Sequence, residues 1–428
     1  VSKNSLKSKL QFAVLAAGGG AIFYVLFSRA SYYDAFIQAM DVTNEEFGIL
    51  FSAYAWVAAG TYFLGGLVAD KVSPRILMTI SFVGTGILNV WFGLFPSYNV
   101  CLFLYISMGI TTTVTFWAAM LKATRQYGQE IKSESKAFGY LQTGRGIFEI
   151  VAQTVIAFGF NLFANAVLGL RFVIWTYGGI LIILGIISWF VFDDEKGSDV
   201  LNKENFLQLI VQCIKNPDMW LLTLMAMGGY NIGSCIGSYM GNMATSMYGA
   251  TIGMAAYIGT MNAWLKPVGS FAASYVGEKK GPSFVIMFTG VLLTIISLVF
   301  AFVNPKPSMI IFFLIVVGVE IMLTGAFRSH KYATVREAKI PMNLTGTAFG
   351  FVATIVYTTD AFMPPIIGKW LDIYDPVTAY RRLFYVLVFS GIVTLVTGTI
   401  FIIRNRKNIQ DVLEEEKLLR LAEKTENQ

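Results

Sequence analysis

The 428-residue chain is 55% hydrophobic, 15% aromatic and only 14% charged, with a formal net charge of +6. A soluble domain carries about a quarter charged residues, so the composition points away from a soluble enzyme or binding module. The apolar residues fall in runs of about 20, the length that crosses a hydrocarbon core of about 30 Å. Three scattered cysteines (Cys101, Cys213, Cys235) and one histidine, His330, support neither a disulfide framework nor a zinc site, and no cofactor is expected.

Hydropathy and punctuation place spans in chain order near 10–40, 47–69, 76–95, 100–121, 137–162 and 167–192. A polar stretch, Asp193 to Asp218, follows, and then spans near 219–246, 251–277, 283–303, 308–327, 345–368 and 383–403, with a charged tail. The first run is too long for the apolar core of a cleavable signal peptide. Within the polar stretch, Asn205–Lys215 reads as a short helix on the membrane surface, and Asn408–Lys424 as an amphipathic helix with Leu413, Leu418 and Leu421 among its apolar positions. The layout predicts an all-α membrane protein of twelve transmembrane helices in two six-helix bundles. Its expected units are 1–192, a linker 193–218, a second bundle 219–403 and a tail 404–428.

With the N-terminus inside, the inner segments hold 24 of the 32 Lys and Arg residues and the outer segments five. The positive-inside rule therefore expects both termini and the linker in the cytoplasm, in the cytoplasmic (inner) membrane. The net positive charge then needs no nucleic acid to explain it.

The chain also resembles itself at an offset near 208. Ala55–Trp56 returns as Ala263–Trp264, Asp70–Lys71 as Glu278–Lys279, Pro74 as Pro282, and Ala137–Phe138–Gly139 as Ala348–Phe349–Gly350. These matches fall at corresponding places in spans 2 and 8, and 5 and 11. Parallel repeats meeting at a midplane site are a transporter architecture.

Between spans 2 and 3, Gly66-Leu-Val-Ala-Asp70-Lys71-Val-Ser-Pro-Arg75 resembles the major facilitator superfamily signature G-x3-D-[RK]-x-G-x-[RK]-[RK], with Ser73 for its second glycine and Ile76 for its last basic residue. The resemblance covers nearly the whole chain and implies the major facilitator fold and alternating access. It makes Asp70, Lys71 and Arg75, with their repeat partner Glu278, candidates for a cytoplasmic gate; a solvated loop is the plainer alternative. More narrowly, Tyr24–Tyr33 and the Phe47-Gly48…Ser52-Ala53-Tyr54 entry to span 2 resemble the organophosphate:phosphate antiporters, the family of bacterial glycerol-3-phosphate and hexose-phosphate transporters. That family faces an arginine in span 1 against one in span 7. Arg29 matches the first, but span 7 reads Gly229-Tyr230-Asn231-Ile232-Gly233-Ser234 and has no arginine, so a related carrier for another organic anion is implied.

A charge at the centre of a spanning helix costs about 2.5–3.5 kcal/mol on insertion scales, so it faces a cavity or a partner. The interrupted spans carry Arg29, Arg145 with Glu149, Lys266, Glu320 and Asp360. Arg29 has Tyr32 and Tyr33 three and four residues on, and its guanidinium fork suits phosphate, sulfonate or carboxylate oxygens. Span 5 bears a stripe of Gln142, Arg145, Glu149 and Gln153. Lys266, one turn after Asn262, is the second half's candidate cation, and Tyr230, Asn231 and Tyr357 complete the expected binding set. Glu149, Glu320 and Asp360 are the candidate coupling carboxylates. Asp360 precedes Pro364–Pro365, which break the backbone ladder and predict a kink. For Arg29 a pairing with Asp34, and for Arg145 one with Glu149, competes with ligand contact.

These features predict a secondary transporter for a small organic anion, working by proton symport or by exchange for a counter-anion, and monomeric in the bilayer. A flux-free sensor or scaffold and a carrier of a neutral polar solute are the alternatives. A membrane enzyme would need clustered His, Cys or carboxylates on one cytoplasmic face, which the sequence lacks, and no P-loop appears.

Overall fold

The computed structural model of the protein describes residues 3–131, 133–192, 203–331, 334–338, 340 and 342–426. Twelve helical crossings follow one another, and no strand occurs among the described residues. The first crossing is in three pieces, Lys3–Ala21, Tyr24–Phe27 and Arg29–Met40. The second to sixth are Asn44–Lys71, Pro74–Phe92, Tyr98–Glu130, Glu134–Phe160 and Ala166–Val191. The helix Lys203–Lys215 precedes the second set, as expected for a short linker helix. That set is Pro217–Tyr248, Ile252–Lys280, Pro282–Phe302, Ile310–His330, Met342–Ile373 and Pro376–Arg404. A tail helix, Arg406–Glu426, docks on the second set: its Ile409 and Val412 are buried, and Arg336 meets Glu415 at 3.1 Å.

Among the described residues, nine crossings are long and apolar enough to span a membrane by length and composition alone. The second, fifth and eighth are as long, at 28, 27 and 29 residues, and the fifth and eighth are more polar. The fifth and eighth are polar because they line the centre of the protein with Arg145, Glu149, Gln153, Asn262 and Lys266. In the second, the side chains of 62–67 and 69–71 lie outside the described residues, Asp70 and Lys71 of the expected gate among them.

Within each bundle the third crossing packs on the sixth and the first on the fifth, as the seventh packs on the twelfth and the eighth on the tenth. Across the bundles the second packs on the eleventh, the fifth on the eighth, and the first on the seventh and eighth. Lipid tails are as apolar as leucine, so close backbone approach rather than water exclusion holds such helices together. The second and eleventh crossings meet through glycine. A Cβ on Gly48 would overlap Pro364 O, and one on Gly368 would overlap Asn44 O.

Local chemistry shapes the elements that reach the centre. The second crossing starts with a capping box, in which Glu46 N donates to Thr43 Oγ1 (3.1 Å) and Thr43 N donates to Glu46 Oε2 (2.9 Å). The fourth crossing widens into a π-helix over Thr111–Trp117. There the Thr112 and Thr113 hydroxyls donate back to the Met108 and Gly109 carbonyls at 2.7 Å, competing with the backbone for its acceptors. The eleventh crossing continues through Pro364–Pro365 as one helix. Pro365 has no N–H for the Ala361 carbonyl four residues back, and Ser52 Oγ of the second crossing fills that vacancy at 2.5 Å.

Candidate functional site

A cavity of about 370 Å³ lies between the two bundles, walled by crossings 1, 2, 4 and 5 on one side and 7, 8, 10 and 11 on the other. Its charged lining is Arg145, Glu149, Lys266, Arg328 and Asp360. Aromatic rings from the first bundle, including Tyr24, Phe27, Tyr54 and Trp117, complete one wall, while Ser234, Ser238 and Gly237 soften the other.

The span 5 stripe points inward as its spacing requires: Arg145, Glu149 and Gln153 all face the cavity. The Gly18–Gly20 run lets this helix approach the first. A Cβ on Gly19 would sit 2.9 Å from Arg145 Cδ, and one on Gly20 would sit 3.0 Å from the Arg145 carbonyl. The Arg145 guanidinium carbon lies 5.9 Å from the Trp117 ring, which the π-helix presents. Lys266 and Asn262 line the facing wall from the eighth crossing.

The second bundle builds a tighter cluster. Tyr230 Oη donates to Asp360 Oδ2 (2.6 Å) and Ser234 Oγ donates to Asp360 Oδ1 (2.5 Å), so hydroxyls of the seventh crossing occupy both carboxylate oxygens. The Arg328 guanidinium carbon lies 4.9 Å from the Tyr230 ring. Lys331 Nζ donates to Tyr357 Oη (3.1 Å) and lies 4.6 Å from that ring. Arg328 is absent from the residues expected from sequence because it sits in the last turn of the tenth crossing, where its charge looks like that of an inner loop. Its signal is spacing: Glu320, Thr324 and Arg328 follow at steps of four on one helix face, and Thr324 Oγ1 donates to Glu320 Oε1 at 2.7 Å.

Several expected ligands stand off the wall. Arg29 is 1% exposed, and its guanidinium carbon lies 5.6, 5.3, 5.2 and 4.5 Å from the rings of Tyr33, Phe47, Phe51 and Tyr239. None of its guanidinium nitrogens has a hydrogen-bond partner among the described residues. Asp34 is not its counter-ion, since Asp34 accepts from Asn242 Nδ2 and Thr245 Oγ1 of the seventh crossing. Tyr33 belongs to the same cage, whereas Tyr32 packs on Phe160 at 4.8 Å. Asn231 turns to the twelfth crossing, donating to Ser390 Oγ at 3.0 Å. Glu320 is 1% exposed behind the wall, with no partner for Oε2 among the described residues. At the other end, Arg75 lies 4.2 Å from the Trp189 ring and Glu278 is exposed.

The bundles are sealed on one side of the cavity. Asp372 Oδ1 accepts from Asn44 N (3.0 Å) and Asn44 Nδ2 (2.7 Å), and Asp372 Oδ2 accepts from Glu45 N (2.8 Å). Asn161 Nδ2 donates to Gly253 O at 3.3 Å across the same seam, while within the second bundle Tyr239 Oη donates to Pro364 O at 3.3 Å. A Cβ on Gly259 would overlap Ser31, which shows how closely the first and eighth crossings meet.

A sequence model of the Major Facilitator Superfamily matches residues 12–327. The chain is 28% identical over 416 residues to Inner membrane protein YqcE of Escherichia coli (strain K12), covering 93% of this chain and 96% of that protein. It is 28% identical over 405 residues to Inner membrane protein YihN of the same organism, covering 90% and 94%. Among solved structures, the nucleoside transporter NupG superposes with a TM-score of 0.72 at 14% identity, covering 92% of this chain and 98% of that one. A bacterial homolog to the human lysosomal transporter Spinster, inward-facing and unoccupied, superposes with a TM-score of 0.72 at 17% identity, covering 96% and 99%. At these identities the structural likeness speaks for the fold.

Proposed function

We propose that this chain, which belongs to the Major Facilitator Superfamily, is a secondary carrier that moves a small organic anion across the inner membrane by alternating access. The observation that carries the reading is the charge of the cavity wall, where three cations (Arg145, Lys266, Arg328) face two carboxylates (Glu149, Asp360). Both bundles contribute cations, as a site passed between two halves requires. Charges placed at membrane depth mark substrate and ion pathways, and an anion held between cations in a site of low dielectric is bound by charge-assisted hydrogen bonds.

Positive-inside counting puts the side where the bundles meet outward, with both termini and the linker in the cytoplasm. The names of the two bacterial relatives support an inner-membrane location. Glu149 and Asp360, both on the wall, are the groups best placed to exchange a proton as the anion comes and goes; an anion on the opposite side is the other coupling partner that the charge balance allows.

The test is a thermal-shift screen of the purified protein against organic anions and their neutral analogues, followed by uptake of the best hit into proteoliposomes. Accumulation driven by a proton gradient or by a trapped counter-anion is expected. Stabilisation by neutral solutes alone, with no anion uptake, would overturn the anion assignment. Binding without uptake under either gradient would make the protein a sensor or scaffold.

A further inference from the structure

The charged groups of the cavity are not equivalent. Asp360 is satisfied by the hydroxyls of Tyr230 and Ser234, not by the cations beside it. Arg328 reaches the same cluster from the tenth crossing with its guanidinium against the Tyr230 ring. Its buried Nε has no hydrogen-bond partner among the described residues. A guanidinium fork pre-set by an aromatic platform, facing a cavity with its donors uncommitted, is an oxyanion receptor waiting for oxygens. The wall carries one positive charge in excess, three cations to two carboxylates.

Resting on the anion-carrier reading, we propose that Arg328 is the residue that receives the anionic head of the substrate, and that the substrate is a monoanion with an uncharged body. The head sits at Arg328, with the Tyr230 and Tyr357 rings bounding it. The body extends along the aromatic wall of the first bundle, where Tyr24, Phe27 and Trp117 give flat faces for a sugar or an aromatic ring. A dianion would leave the filled cavity with a net negative charge in a medium that solvates it poorly.

The experiment uses two matched series on the full-length protein in detergent: glucitol, gluconate and glucarate, and benzyl alcohol, benzoate and phthalate. Each steps from neutral to monoanion to dianion on one body. The readout is the concentration dependence of the melting temperature for the parent, Arg328→Gln, Arg328→Lys and, as a surface-charge control, Lys369→Gln. At least one monoanion is expected to stabilise the parent more than its neutral and dianionic partners. Its apparent affinity should fall about tenfold or more in Arg328→Gln, as for the loss of one good charge-assisted contact. It should fall less in Arg328→Lys, which keeps the charge without the fork, and should hold in Lys369→Gln. A monoanion that binds Arg328→Gln as tightly as the parent overturns the assignment of Arg328 while leaving the anion carrier standing. A dianion preferred over the monoanion overturns the charge class. Stabilisation by the neutral members alone, or by none of the six, counts against the anion site itself.

Discussion

Asp372→Ala tests the seal on the side of the cavity that topology places outside. The native carboxylate takes three hydrogen bonds of 2.7–3.0 Å from Asn44 and Glu45. It therefore caps the N-terminus of the second crossing from the opposite bundle and sets a negative charge at the positive end of that helix. The site is exposed, so the freed N–H groups return to water rather than to a vacuum. The loss is then that of an N-cap, about 0.5–2 kcal/mol. A central value near 1.4 kcal/mol changes the closed-to-open ratio about tenfold. The assay needs a reporter just inside the seal: a cysteine at Ala361, which is 2% exposed, in a background without Cys101, Cys213 and Cys235. A membrane-impermeant maleimide added outside reacts in proportion to the open population. Labelling of the Asp372→Ala variant should be about tenfold faster than of its Asp372 parent. Equal rates would show that the seal is held by the glycine contacts and that the cross-bundle cap contributes nothing to it.

Asp70→Asn should slow transport while substrate affinity in detergent stays within a few-fold of the parent, as expected of a gate rather than a ligand; a normal uptake rate would reduce the signature to a solvated loop. Glu149→Gln should abolish proton-driven accumulation but leave exchange of anion for anion, and loss of both together would make it a structural partner of Arg145. Glu320→Gln, off the cavity wall, should keep both activities in the same vesicles; loss of proton-driven accumulation would bring Glu320 back among the coupling groups.

Fold class was readable because it depends on quantities that a sequence states directly. Apolar run length, the Lys and Arg distribution, and the recurrence of Ala55–Trp56 as Ala263–Trp264 fixed the helix count and the family resemblance without reference to any contact. The cavity was half readable, and the division has a physical cause. Arg145, Glu149, Lys266, Tyr230, Tyr357 and Asp360 line it or close on it because they interrupt strongly apolar helices, where a polar group has nowhere else to turn. Arg328 was hidden by its place in the last turn of the tenth crossing, where loop charge and cavity charge look alike in sequence. Asn231 was misplaced by adjacency: it neighbours Tyr230, but successive helical residues point about 100° apart, which carries Asn231 round to Ser390. The Pro364–Pro365 pair frees a backbone carbonyl, as its sequence requires, but the hydroxyl that fills it comes from another crossing, a contact that no single-helix reading contains.

Arg29 carries the remaining difference between sequence and structure, and its surroundings assign it a distinct task. The cage has three rings from the first bundle, Tyr33, Phe47 and Phe51, and one from the second, Tyr239, which is also the nearest at 4.5 Å. The cage is therefore complete only while the bundles meet on the sealed side. Parting them withdraws Tyr239 and leaves a cation at membrane depth short of its best partner, a state disfavoured unless water or an anion enters. A desolvated cation–π contact contributes about 2 kcal/mol, enough to bias the seal about thirtyfold. Tyr239 also donates to Pro364 O at 3.3 Å, so two substitutions separate its roles. Tyr239→Phe loses the hydroxyl and keeps the ring, and should leave maleimide labelling of a cysteine at Ala361 near the parent rate. Tyr239→Leu keeps bulk without the ring, and should raise that rate by about an order of magnitude. If Phe and Leu open the seal equally, the hydroxyl acts through its bond to Pro364 inside the second bundle, and the ring contributes nothing to the seal. If neither does, Arg29 is stable in its cage without the second bundle, and the coupling of its charge to the conformational cycle is refuted.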